Sequence, residues 1–156
     1  MKTELISKAG LARLEAEVES IDAEIQQTIN EMGKSAKRDN DLRENPEFME
    51  LRVKAMHTLP AKKEKLCWKV KNAVIIEETP EYLNFDGNTV IVGSTVTFTM
   101  DGEEEKYTIL GTTEGDWKNG IIACDTMLAE TMLGKHVGDT FDCNSMIGTI
   151  KKVEKI

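Results

Sequence analysis

Three carboxylates, Asp39, Asp41 and Glu44, fall within six residues of the string Asp39-Asn40-Asp41-Leu42-Arg43-Glu44-Asn45. Carboxylate oxygens are hard donors, and a turn can offer several of them to one divalent cation such as Mg²⁺. No histidine or cysteine accompanies them, so a soft-metal site is not indicated. They are also too few to saturate Mg²⁺, which keeps several waters and favours phosphates or further carboxylates. The string therefore reads in two ways. It is half of a site that a partner completes, or a solvated polar turn helped by Glu44 and Glu47 near a helix N-terminus. Beside it lies a basic cluster, Lys34, Lys37, Arg38, Arg43, Arg52 and Lys54. Such a cluster can follow a single-stranded phosphate backbone. It serves equally well as solubilising charge.

Other reactive side chains are sparse. Cys67, Cys124 and Cys143 are odd in number and widely spaced, which argues against a disulfide framework or a zinc site. His57 and His136 are the only histidines, so a multi-histidine metal centre is excluded. Lys62, Lys63, Lys65, Lys69 and Lys71 form a denser basic run that reads as a solvated face, with Lys63 snorkelling. There is no Walker or dinucleotide-binding glycine pattern and no HExxH. An autonomous metal-dependent hydrolase is disfavoured because the chain supplies so few ligands.

Apolar spacing predicts the elements that must carry the acidic string. Leu11, Leu14, Val18, Ile21 and Ile25 recur at 3-4-3-4 spacing, continued by Thr28 or Ile29 and by Met32. Ser7 is the candidate cap, with Gly10 weakening the first turn. After the polar stretch 33–45, Met49, Arg52, Met56, Leu59, Lys63, Leu66, Val70 and Ala73 fall on one heptad face. Asn45-Pro46 reads as cap and first helical residue. Pro60, in mid-pattern, predicts a kink or an interruption. Two helices of roughly 30 residues, each on the order of 45 Å long, make an antiparallel coiled-coil hairpin that projects into solvent.

The pattern changes near residue 79. Residues 1–79 carry a net charge of −1 and residues 80–156 a net charge of −7. The later part alternates in the manner of strands, at 89–92, 95–100, 106–110, 120–123, 140–143 and 148–153. A short helix at 126–133 is capped by Asp125 or Thr126. The expected class is α+β: a coiled-coil hairpin over 1–79, then a small antiparallel sheet domain with one short helix over 80–156.

The chain of 156 residues is 40% hydrophobic and 31% charged, which is a globular profile. No uncharged apolar run approaches 18 residues, and no signal-peptide pattern precedes the first helix. A cytoplasmic protein without a membrane partner is expected. The net charge of −8 opposes bulk attraction to nucleic acid while allowing a local basic patch.

The string Ala36-Lys37-Arg38-Asp39-Asn40-Asp41-Leu42-Arg43-Glu44-Asn45-Pro46-Glu47-Phe48 resembles the bacterial Gre transcript-cleavage factors. Their signature is a basic residue followed by Gly/Asn-Asp-Leu-Lys/Arg-Glu-Asn-x-Glu-Tyr/Phe. Val92-Gly93-Ser94-Thr95-Val96 is a second match, and the segment from Gly120 to Asp139, ending in Leu133-Gly134-Lys135-His136-Val137-Gly138-Asp139, is a third. The resemblance implies a coiled-coil hairpin followed by a domain with the FK506-binding-protein-like fold. It further implies docking of that domain at the rim of the bacterial RNA polymerase secondary channel, with the hairpin reaching the active centre. In that reading Asp41 and Glu44 are the catalytic, metal-holding acids. They share a Mg²⁺ with polymerase during hydrolysis of the backtracked RNA 3′ end, and the isolated protein holds no metal tightly. Lys37, Arg38, Arg43 and Arg52 are the expected RNA or docking contacts, and the protein is expected to be a monomer. The pattern departs at Asp125-Thr126, where Ser-Pro is usual, at Pro60, and at Phe48 in place of Tyr. The alternatives are a non-catalytic regulator that occupies the same channel, and a coiled-coil adaptor unrelated to polymerase.

Overall fold

Ser7 starts the first long helix. Its Oγ accepts the Gly10 N–H at 3.0 Å, a donor that a helix start leaves open, and its carbonyl accepts the Leu11 N–H at 2.9 Å as the first bond of the helix. From there α1 runs over Lys8–Arg38, 31 residues. The computed structural model describes residues 3–156. They separate into two compact units, one of residues 12–72 and the other of residues 73–156 with the segment ending at Leu11.

Within the first unit the chain returns through α2 (Pro46–Val53), a π-helical turn (Lys54–Thr58) and α3 (Leu59–Asn72). Pro60 has no N–H for a helical bond, and its ring crowds the carbonyl four residues earlier. The interruption expected there takes the form of the π turn just before it, in which the Leu59 N–H reaches back five residues to the Lys54 carbonyl. The extra residue shifts the inward phase of α2. Ala55 is buried and Phe48 and Leu51 are half-buried, whereas Met49 and Met56 are 47% and 55% exposed. The predicted Met49, Arg52, Met56 face is therefore corrected by one position. Beyond the turn the predicted stripe holds: Leu59 and Leu66 are buried with Ile21, flanked by Leu14, Val18 and Ile25. On α1 the inward face continues past Ile21 to Thr28 and Ser35, each seven residues on and each almost fully buried.

The second unit begins at 73, not at 80. β1 (Glu4–Ile6) pairs in parallel with β2 (Ala73–Ile75). Behind them Ile76 is fully buried with Tyr82 and Leu110. Charge density registers what faces water, and it missed this strand pairing at the boundary. A short 3-10 turn (Ile76–Glu78) and the four-residue α4 (Pro80–Leu83) follow. The main sheet comprises β3 (Ser94–Met100), β4 (Glu103–Leu110), β5 (Ile121–Ala123), β6 (Thr140–Cys143) and β7 (Met146–Lys155), in the order β5-β4-β3-β7-β6. It is α+β as expected but mixed rather than purely antiparallel, because β5 runs parallel to β4. The intervening loop and 3-10 turn (Trp117–Asn119) carry the chain back before β5 starts. Residues 89–92 form no strand beyond one bridge between Thr89 and His136. The acidic run at 103–105 belongs to β4 itself. Asp101 and Gly102, at φ 53° and 80°, close a two-residue turn whose twist lets the strands pair up to its edge.

The core of this unit gathers Val90, Val96, Phe98, Ile109, Ile122, Phe141, Ile150 and Val153 under α5 (Met127–Met132), which adds Ala129 and Met132. Thr126 caps α5 through the Ala129 N–H. Cys143 is buried in the core as a small apolar residue, while burial raises the half-buried Cys124 thiol pKa above its ordinary range.

Two features of this unit give measurable expectations. Glu114, nearly buried, accepts the Ser7 N–H at 2.9 Å and the Gly111 N–H at 3.2 Å, and it also bonds the Ser7 hydroxyl. A Cβ on Gly10 would overlap that carboxylate. Gly10→Ala is therefore expected to destabilise by about 1–3 kcal/mol, against the roughly 1 kcal/mol that alanine normally gains in a helix. An unchanged or higher denaturation midpoint would contradict the clamp. Asp86 accepts the Thr89 hydroxyl at 2.7 Å and the Thr89 and Asn88 N–H groups at 2.7 and 2.8 Å. These bonds, the Thr89 hydroxyl first, push its pKa down to about 2. Its stabilising contribution is present above the unfolded value of about 4 and is lost as pH falls through about 2. Stability measured from pH 5 to 2 should fall less steeply in Asp86→Asn than in the parent.

Candidate functional site

The acidic string occupies the turn between α1 and α2, and its backbone is tied at each step. The Asp39 N–H still bonds the Ser35 carbonyl in helical fashion at 3.1 Å. Asp39 Oδ1 then accepts the Asp41 N–H at 3.1 Å, and Asp41 Oδ1 accepts the Arg43 N–H at 3.2 Å. These are the short side-chain-to-backbone loops that aspartates favour outside helices. The Glu44 N–H bonds the Asp41 carbonyl at 3.1 Å, which sets the two acids one turn apart. Both side chains are exposed. The Glu44 side chain has no hydrogen bond or ion pair among the described residues, and Asp41 retains Oδ2 beyond its backbone bond.

Inside the turn the hairpin closes on a polar pair. Ser35 is 1% exposed and Asn45 5%. Asn45 Nδ2 donates to the Ser35 Oγ at 3.0 Å and to the Ser35 carbonyl at 3.3 Å. Asn45 Oδ1 accepts the Phe48 N–H at 3.0 Å, the N-cap bond read from the sequence. On the outside, Arg38 Nη2 meets both Glu47 oxygens at 3.0 and 2.8 Å. The Ser35 hydroxyl first, and the Arg38 guanidinium with it, hold the Glu47 carboxyl below the ordinary carboxylate range.

Of the predicted basic contacts, Arg38 is thus engaged within the hairpin. The side chains of Lys37, Arg43 and Arg52 are exposed and make no ion pair among the described residues. Lys54 is committed to Glu24 at 2.8 Å, Lys62 to Glu17 at 3.4 Å and Lys63 to Asp22 at 2.6 Å, across the two helices. The sequence reading missed Ser35. The signal was present in the seven-residue spacing from Ile21 through Thr28 to Ser35, which an apolar count passes over.

Asp41 and Glu44 offer hard oxygen donors, the chemistry that Mg²⁺ takes. Their number fits only a shared ion, and among the described residues no group of three or more histidine, cysteine, aspartate or glutamate side chains gathers as a metal site. Among the described residues no helix is long and apolar enough to cross a membrane.

Comparison with known proteins sets the chain in a family. The family described as "Transcription elongation factor, GreA/GreB, C-term" matches residues 86–156. Transcription elongation factor GreA of Bacillus cytotoxicus is 34% identical over 149 residues, covering 88% of this chain and 85% of that protein. The factor of the same name from Geobacillus kaustophilus is 34% identical over 145 residues, covering 86% and 83%. The crystal structure of GreA factor homolog 1 (Gfh1) of Thermus thermophilus aligns over 98% of this chain and 99% of that one, at 17% identity and a TM-score of 0.43. With a third of residues identical over most of both chains, and the C-terminal family match falling on the sheet unit, the chain belongs to the GreA/GreB family of transcription elongation factors.

Proposed function

We propose that this chain stimulates hydrolytic cleavage of the nascent RNA 3′ end in backtracked RNA polymerase. The globular unit docks on the polymerase at the rim of its secondary channel, and the hairpin carries Asp41 and Glu44 to the active centre. One observation carries the reading: two exposed carboxylates one turn apart, Glu44 without a protein partner, in a turn fastened to both helices. Carboxylates on a long arm are useful where the rest of the site lies deep in another protein, because docking the arm supplies proximity.

In this proposal the Asp41 and Glu44 carboxylates would hold a Mg²⁺ jointly with polymerase carboxylates. That ion, when bound, supplies Lewis-acid activation of water and neutralises charge on the phosphodiester. The Asp41 bond to the Arg43 N–H fixes how the first acid is presented. Lys37, Arg43 and Arg52 engage RNA phosphates or the channel wall, and the Arg38–Glu47 pair braces the turn. The factor acts in the cytoplasm as a monomer, one copy per polymerase.

The test adds the protein to stalled, backtracked elongation complexes with Mg²⁺. Short 3′-terminal RNA products are expected, followed by resumed elongation. Binding to polymerase without such products would replace this reading by that of a channel-occupying regulator.

A further inference from the structure

We propose that Asn45 and Ser35 form a positioning pair that sets the register of the hairpin at its tip and thereby the placement of Asp41 and Glu44; this rests on the cleavage reading above. Nine residues, 36–44, make up the end of α1 and the turn between the two partners. Asn45 directly follows Glu44, and Ser35 lies in the last turns of α1. Both are almost fully buried, where apolar residues usually fill a helical seam. A polar pair there is a choice of direction over adhesion. Apolar contact tolerates sliding, whereas hydrogen bonds fix both distance and orientation, and a buried polar residue in a coiled-coil seam specifies register.

The Asn45 amide is fully used. Its oxygen caps α2 through the Phe48 N–H, and its nitrogen reaches both the backbone and the hydroxyl of Ser35. The Ser35 carbonyl also accepts the Asp39 N–H, from the residue that begins the acidic turn. One side chain therefore joins the start of α2, the end of α1 and the first bond of the turn. Sliding one helix by a turn would leave these buried groups unpaired, a costly state. Neither residue reaches solvent enough to touch RNA or metal, so any influence on cleavage passes through the placement of the two acids.

The experiment uses the full chain with Asn45→Ser and Ser35→Ala. Serine keeps an N-cap acceptor for α2 but is too short to reach Ser35. Alanine removes the Ser35 hydroxyl, and with it that hydroxyl's hold on Glu47, but leaves the Ser35 carbonyl that Asn45 also meets, so it weakens the pair with little risk to folding. Cleavage rates at saturating factor, the half-saturating factor concentration, and the Mg²⁺ dependence are measured alongside Asp41→Asn, with far-ultraviolet circular dichroism confirming helicity. The expected result is a saturated rate about tenfold lower in Asn45→Ser and about threefold lower in Ser35→Ala. Half-saturating factor concentrations should stay within twofold of the parent, and more Mg²⁺ should be required. Parent-like saturated rates in both variants while Asp41→Asn is slow would overturn the positioning role and leave the cleavage reading standing. Loss confined to helicity and half-saturation, with the saturated rate and Mg²⁺ dependence unchanged, would show a purely structural role and also overturn it. Parent-like rates in Asp41→Asn would overturn the site assignment, and this inference with it.

Discussion

D41N and E44Q are each expected to lower the rate of transcript cleavage by at least about tenfold, equivalent to about 1.4 kcal/mol in the barrier, with polymerase binding near the parent value. The amides preserve size and remove the negative charge that a hard cation requires. Asn at 41 can still accept the Arg43 N–H through its side-chain oxygen, so the turn keeps its bond. Glu44 has no partner to lose. Both positions are exposed, where substitutions seldom change stability by more than about 0.5 kcal/mol. Raised Mg²⁺ should recover part of the rate if the defect is affinity for the ion. Cleavage is to be timed at limiting Mg²⁺, with binding followed in parallel by competition against the parent protein. A solvated turn without function predicts parental rates in both variants, and that outcome would remove the metal-holding assignment.

The largest stability effect is expected at Phe98. Its ring is fully buried, lies edge-on to Phe141 at 5.3 Å between centroids and stacks on Tyr107 at 6.0 Å. The register of β3 against β7 shifts between Thr97 and Phe98, so the ring is seated by an irregularity that the facing strand must accommodate. Truncation to alanine should cost about 3–5 kcal/mol, a large share of the roughly 5–15 kcal/mol that keeps a domain folded. Hydrogen exchange at Ile109 and Ile150 reads the sheet directly, and the helical circular dichroism signal follows the hairpin. Early loss of sheet protection is expected while hairpin helicity persists. A cost below about 1 kcal/mol would show that the core closes over the missing ring.

The acidic turn, its cap and the two long helices were legible in the sequence because each rests on local rules. Asn45-Pro46 states a helix start within two residues, and Leu14, Val18, Ile21 and Ile25 state a face within four turns. The phase of α2 was not legible. A heptad count assumes one residue per step, and the π turn before Pro60 adds one, so Ala55 rather than Met56 faces inward. Phe48 and Leu51, each one position before Met49 and Arg52, carry the correct phase. The parallel pairing of β1 with β2 was likewise hidden, since a three-residue strand has too little alternation to register and its partner is far away in sequence. At the site, the exposed acids could be read from type and spacing. The Ser35–Asn45 contact could not, because serine is common on helix surfaces and only burial distinguishes this one.

The β1–β2 pairing also bears on the order in which the protein assembles. Glu4 pairs with Ala73, 69 positions later, so the smaller sheet closes around the whole helical excursion. Closing a flexible loop of that length carries an entropic cost that grows with the logarithm of its length. A helical hairpin is rich in local contacts and forms fast, and once formed it returns the chain to where it left. The excursion then behaves as a short, stiff tether, and most of the closure cost has already been met by contacts such as Ile21 with Leu59 and Leu66. During synthesis β1 emerges ahead of β2 and waits for that partner until some seventy residues have followed it. β1 is thus secured only after the helical hairpin that follows it, and its docking waits on the arm.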